Sequence, residues 1–374
     1  MTKAAELAKM GEVLTNSQIG GRRNIIINGA MNVRQRNDSV AGLGDGDEGY
    51  VTLDRFRHTA AASAGRFTSA QTAISDLPGF LNCLHLDCTT ADTSIAATEL
   101  LVLEHRIEGQ DLQQLKKGTS SAESITVSFY MKTNAEFVFM CVLNDFDNNR
   151  VNTQKFTTTT DWKRHSITFV GDTTGALGDD ANNSLSVSFY LHAGSNFTGG
   201  TYVSNTWQSR ASSDNMIAPG IGSFYSSTDN DVKLTGVQLE VGSQATPFEH
   251  LSFGETLALA QRYCFAIDAA GLAGSDVLAS GHCRANNAAY VDLHFPVPMR
   301  VKPTSITVNT VGHFGMVTYG VINLACTTVA LQSATPRVAS INLVGSTTAL
   351  TVGFGCFMYH VNDDGLIVFE GAEL

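Results

Sequence analysis

The chain has 374 residues, of which 43% are hydrophobic and only 16% charged, and it carries a net charge of −11. That length calls for two or three domains. The negative charge excludes a partner held by its phosphate backbone, which needs a basic face, and it excludes an anionic membrane surface.

The shortage of charge is made up by 34 glycines and by Thr, Ser and Asn, a mix that suits short strands with uncharged polar faces. The seven cysteines (Cys83, Cys88, Cys141, Cys264, Cys283, Cys326, Cys356) are odd in number and scattered, with no C-x-x-C. They read as buried reduced thiols. No apolar run is long enough to span a bilayer. The opening MTKAAELAKMGEVL lacks the apolar core of a secretory signal, so a chain that ends outside its cell would leave by lysis.

In chain order, residues 1–23 predict a short amphipathic helix and a linker. Ala4, Leu7, Ala8, Gly11 and Leu14 share a stripe. A helix this short needs a docking surface, and the alternative is a frayed terminus. Asn24–Met31 (NIIINGAM) predicts a buried strand that ends at Asn-Gly. Strands are also predicted at Tyr50–Phe56 and Phe80–Leu86. Glu99–Gln114 fits a helix or a strand equally.

Ser124–Lys132 alternates cleanly, with Ile125, Val127, Phe129 and Met131 on one side. Phe137–Leu143, Trp162–Val170 and Leu185–Leu191 continue the pattern, as in an antiparallel sandwich. In Val232–Val241 the alternation slips at Gly236, and a β-bulge there would keep one face on the core. Ser252-x-x-Glu255 fits a capping box for a helix that starts near Gly254. Tyr290–Val297 predicts an edge strand, because Pro296 and Pro298 cannot donate to a ladder. Short strands follow at Thr304–Val311, Ile322–Leu331, Ala339–Val344, Ala349–Met358 and Leu366–Glu370.

No G-x-S-x-G is present, and no histidine spacing fits a metal site. Asp145-x-Asp147-x-Asn149 opens like a calcium loop. It then has Arg150 where glycine belongs and Phe156 where glutamate belongs, and so fails. The acidic pairs Asp145/Asp147, Asp179/Asp180, Asp229/Asp231 and Asp363/Asp364 read as turn residues. For a sugar, Phe197, Tyr202 and Trp207 offer aromatic faces beside Asn196, Asn205 and Gln208 in one Gly-rich stretch. The competing role for Tyr202 and Trp207 is to plug the core.

Four patches carry a resemblance: Asn24–Met31 with Arg34-Gln35-Arg36; Leu53-Asp54-Arg55-Phe56; Ile107-Glu108-Gly109 ahead of Ser124–Lys132; and VQLEVGSQATPFEH followed by GETLALAQRY. Here the chain resembles tail fibres and related receptor-binding virion proteins of tailed bacteriophages. The resemblance implies an all-β chain. A jelly-roll sandwich akin to carbohydrate-binding modules spans 24–250, a helical neck 251–264 and a smaller C-terminal β-domain 265–374.

It further implies a homotrimer aligned at the neck by Leu257, Ala260 and Gln261. Residues 1–23 would dock on a phage tail or adaptor protein through Leu7, Met10 and Leu14, and host surface polysaccharide would be the ligand. Phe197, Tyr202, Asn205 and Trp207 are the binding candidates. The chain would be a non-enzymatic virion protein assembled in the host cytoplasm. It would hold no cofactor except a structural calcium of the kind such modules carry. A capsid-decorating fibre or a tail-collar component is the alternative. A polysaccharide depolymerase fits less well, since the long β-helix repeats of such enzymes are absent.

Overall fold

A strictly alternating strand needs a partner for its apolar face and one for each of its two edges. The computed structural model describes residue 3 and residues 22–210, 216–268, 276–361 and 364–374. Leu7, Met10 and Leu14 lie outside the described residues. The chain divides into two compact units, one running to Phe253 and including Leu374, the other spanning Gly254–Glu373.

The first unit is a two-sheet jelly roll. Its strands are β1 (Ser39–Leu43), β2 (Glu48–Gly49), β3 (Arg57–Ala61), β4 (Arg66–Ala73), β5 (Asn82–Thr90), β6 (Leu100–Glu108), β7 (Ile125–Thr133), β8 (Val138–Asp145), β9 (Arg150–Thr157), β10 (Lys163–Phe169) and β11 (Asn183–Ala193). A helical turn α1 (Ser195–Thr198), β12 (Gln208–Ser209) and β13 (Asp231–Val241) complete it. One sheet has the order β1-β4-β5-β13-β7-β10, the other β12-β9-β8-β11-β6-β3-β2. Phe67, Phe129, Phe139, Phe169 and Phe189 fill the space between them. The ambiguous segment at Glu99 resolves as β6 followed by two 3-10 turns.

β13 carries the anticipated slip. Its register against β7 shifts between Thr235 and Gln238, and Gly236 has φ +62°. The reason is a change of neighbour. On its other edge β13 pairs with β5 only from Asp231 to Leu234. From Val237 onward that edge is taken by residues 24–29: Val237 N donates to Gly29 O (2.9 Å) and Ile25 N to Leu239 O (2.9 Å).

This corrects the expected strand at Asn24–Met31, which is buried but irregular. Asn24 does the work of a ladder with its side chain. Its Nδ2 donates to Val237 O (3.1 Å), and its Oδ1 accepts from Ile26 N and Leu239 N (3.0 Å each). The Tyr50–Phe56 strand is likewise absent: Arg55 sits at φ 71°, fully buried, and β3 begins only at Arg57. Asp54 accepts from Gln35 Nε2 (2.7 Å) and pairs with Arg36 (3.2 Å). After β13 the chain folds over its polar outer face. Buried Glu240 accepts from Thr246 N (2.9 Å) and Oγ1 (2.6 Å), and Glu249 accepts from Arg23 N (3.1 Å) and Asn24 N (2.6 Å).

The second unit begins with α2, numbered Phe253–Gln261, whose residues from Gly254 belong to it. Its strands are β14 (Phe265–Asp268), β15 (Val277–Ala285), β16 (Ala288–His294), β17 (Ser305–Val308), β18 (Phe314–Thr318), β19 (Val321–Ala334), β20 (Val338–Gly345), β21 (Gly355–His360) and β22 (Leu366–Glu370). Six form a closed barrel, β15-β16-β20-β19-β18-β21, and β14-β22-β17 form a small sheet. The predicted edge strand at Tyr290 is instead paired on both sides in β16, because the strand stops at His294 before either proline. None of the seven cysteines is in a disulfide, and all are buried. Among the described residues no helix is long and apolar enough to cross a membrane.

A Cβ on Gly236 would lie 2.8 Å from both the Phe80 and Tyr130 rings, at a φ that disfavours any side chain. Gly236→Ala is expected to cost about 2 kcal/mol in urea unfolding of the full chain. Stability also depends on pH through buried histidines. Burial pushes His58 and His165 down to about 4, and it holds His105 and His192 below their usual value. Below pH 6.5 the unfolded chain takes up protons that the folded one refuses until about 4. The urea midpoint is therefore expected to fall steadily from about pH 7 to about pH 4.5, with each histidine contributing up to ~1.4 kcal/mol per pH unit.

Candidate functional site

On the seven-stranded sheet, alternation sends one set of residues to the core and the other outward. Leu101, Leu103 and Ile107 of β6, Leu185, Val187 and Phe189 of β11, and Phe139, Cys141 and Leu143 of β8 are core residues. Val102, Glu104 and Arg106, then Ser186, Ser188 and Tyr190, then Met140, Val142 and Asn144 take the opposite parity. This outer face has two halves.

The apolar half is covered by the chain between β11 and β13. Val102, Met140, Val142, Val151 and Tyr190 bury against Ile217 and Ala218, with Phe197 and Tyr202 packed beside them. The covering segment is fastened at Ala218 N to Phe197 O (2.8 Å) and at Gly222 N to Val138 O (2.8 Å). At its root, His192 bridges Ser223 Oγ and Glu99 Oε2 at 2.8 Å each. His192 is fully buried, so this chain of groups ties β11 to the cover.

The polar half is an open cleft of about 190 Å³, lined by Glu48, Arg57, Thr59, Leu100, Val102, Glu104, Arg106, Asn144, Phe146, Tyr190 and Arg210. Its centre is Glu104, whose Oε1 accepts from Arg57 Nη1 (2.8 Å) and from Arg106 Nε (2.9 Å). One buried carboxylate thus fixes two planar guanidiniums. The Arg106 guanidinium lies 5.6 Å from the centre of the Phe146 ring, which is 37% exposed. Asn144 Nδ2 donates to Ser186 Oγ (3.2 Å) and Ser188 Oγ (3.1 Å), while its buried Oδ1 has no partner among the described residues. The cleft therefore holds oriented forked donors and a partly exposed aromatic ring.

The sequence candidates sit elsewhere. Trp207 belongs to the core: its Nε1 donates to Val170 O (2.8 Å) and Lys117 Nζ lies 5.2 Å from its ring centre. Asn205, at φ 55°, accepts from Val170 N with Oδ1 (2.9 Å), so it shapes the loop. Tyr202 is half-buried, accepts from Lys155 N (3.3 Å) and holds the Lys155 ammonium 4.9 Å from its ring centre. Phe197 is half-buried against the apolar half. The four are not gathered into one site, although Phe197 and Tyr202 flank the cleft's sheet. In α2, Ala260 is fully buried within the single chain, and Leu257 and Gln261 are half-buried.

Sequence reasoning missed Glu104, Arg106 and Arg57 because they come from strands far apart in the chain. The only local signal is charge inside strand patterns, at Glu104 and Arg106. Asp145 is more than a turn residue. With Asp172 it encloses the buried Lys117 ammonium, at 2.5 and 3.0 Å, joined by the carbonyls of Thr174 (3.0 Å) and Gly175 (2.9 Å). Four oxygens that would suit a divalent cation already surround a lysine. Among the described residues no group of three or more His, Cys, Asp or Glu is placed to hold a metal.

No protein-family model matches the chain, and no curated protein matches it. Solved structures with some likeness include a structure described as CBM4 (12% identity, TM-score 0.29, covering 57% of this chain and 97% of that one). Another is the family 11 carbohydrate-binding module from Clostridium thermocellum, in complex with a mixed-linked tetrasaccharide (12%, 0.26, 56% and 98%). A third is the enzymatically active domain of tailspike protein 4 from bacteriophage CBA120 (8%, 0.28, 58% and 21%). Values this low transfer neither ligand nor activity, and the jelly-roll assignment rests on the strand order itself.

Glu104→Gln would leave Arg57 and Arg106 facing each other across a buried amide. It is expected to lower unfolding stability by about 2 kcal/mol. Glu104→Gln with Arg57→Gln should recover part of that loss, as read by a double-mutant cycle in urea.

Proposed function

We propose that this chain is a glycan-binding structural protein of a tailed-phage virion, a homotrimeric tail fibre that touches host surface polysaccharide through the cleft of its jelly roll. The observation that carries the glycan reading is the combination within the cleft of two guanidiniums fixed by Glu104 and the exposed Phe146 ring. Sugar hydroxyls need planar polar partners with set orientation, and a sugar's C–H face needs an aromatic edge or face. The reading assigns no reaction to the chain.

The virion placement is supported by the family-like sequence patches. Three of them meet in the first unit as the staple around Asn24, Asp54, Glu240 and Glu249. Attachment by residues 1–23, a trimer aligned near α2 and assembly in the host cytoplasm belong to the same reading. Three weak sites on one fibre, repeated around a particle, would multiply a modest affinity by avidity.

Native mass measurement of the full chain is expected to give a trimer. Excess free protein is expected to block phage adsorption to its host. A stable monomer would sink the fibre architecture, and undiminished adsorption would remove the receptor role.

A further inference from the structure

Resting on the reading of the cleft as a glycan site, we infer that its ligand is a carboxylate-bearing glycan, a polyuronate, and that Glu48 is a built-in competitor for it. The Arg57 guanidinium has two unlike halves. Its inner Nη1 is held by Glu104 Oε1 (2.8 Å) and Thr59 Oγ1 (2.6 Å). Its outer Nη2 donates to Glu48 Oε2 (2.8 Å). The Glu104 side chain is 8% exposed, whereas that of Glu48 is 64% exposed. The inner pair is therefore a fixture, and the outer pair is a solvent-facing contact of little worth.

The backbone under Glu48 gives it room to leave. β2 is two residues long, stands at the end of its sheet and pairs only with β3. Gly49, next in the chain, has φ +133°. A carboxylate is the planar group that a guanidinium fork matches best, so a uronate replaces Glu48 like for like. A neutral sugar would exchange that carboxylate for hydroxyls and leave Arg57 less well paired.

Local charge agrees. Among the described residues the cleft lining carries Arg57, Arg106 and Arg210 against Glu48 and Glu104, on a chain whose net charge is −11.

The test is affinity electrophoresis of the full chain through gels that contain polygalacturonate, dextran sulfate or a neutral panel of dextran, laminarin and galactomannan. Polygalacturonate is expected to retard the wild-type chain and the neutral glycans are not. Glu48→Gln removes the competing charge and is expected to tighten polygalacturonate binding about two- to fivefold. Arg57→Lys keeps the charge but loses the fork, and is expected to weaken binding about tenfold with a modest fall in melting temperature, the chain staying folded by circular dichroism.

Unchanged affinity in Glu48→Gln, or equal retardation by dextran sulfate, would overturn the inference, the latter by showing bare charge attraction. Retardation by the neutral glycans alone would overturn it while leaving the cleft as a glycan site. Retardation by no glycan of the set would take away the glycan reading as well.

Discussion

The jelly roll depends on how one strand, β13, satisfies its two edges. β7 covers one edge along most of its length, but β5 covers the other only to Leu234. An uncovered central strand would leave backbone groups buried without partners, which a fold cannot tolerate. Residues 24–29 fill the gap, and Asn24 does so with a side-chain amide that imitates a peptide. Gly236 marks the hand-over, since a change of neighbour in mid-strand needs one extra residue and a left-handed backbone. The polar knot of Gln238, Glu240, Thr246 and Glu249 then closes over the outside. The stretch VQLEVGSQATPFEH is thus a fastening for the sandwich.

The same economy explains the two halves of the opposite sheet. Val102, Met140, Val142 and Tyr190 would expose an apolar patch, and Phe197, Tyr202, Met216, Ile217, Ala218 and Ile221 cover it. Glu104, Arg106 and Asn144 are outward-parity residues of the same strands and line the cleft. Cover and cleft are therefore set by which outward positions of β6, β8 and β11 are apolar, and the switch comes within one strand, between Val102 and Glu104 in β6.

Much of this was legible in the sequence, and the failures have physical causes. Period-two patterns located β7, β8, β10 and β11, since one-sided burial imposes that period. The slip at Gly236 revealed the bulge for the same reason. Asn24–Met31 misled because a β-branched run looks like a strand whether its hydrogen bonds go to a ladder or to Asn24 and Asn28 side chains. The prolines after Leu293 misled because the strand ends just before them. Trp207 was weighed both as a sugar platform and as a core plug, and burial decides for the plug. The cleft was not legible. Its residues alternate with core residues on separate strands, so in one dimension each looks like an ordinary wet position. Only the register of β3, β6, β11 and β8 brings them together.

Lys117 carries a consequence for how this domain meets its surroundings. A bound ion stabilises a fold only in proportion to how far its concentration exceeds its dissociation constant. The ammonium between Asp145 and Asp172 is attached to the chain, so it has no off-rate and no concentration to fall below. That end of the sandwich is indifferent to whether it stands in a calcium-poor cell interior or in a mineral-rich medium. A counter-ion inside the polypeptide lets the same fold be made in one ionic setting and used in another without adjustment.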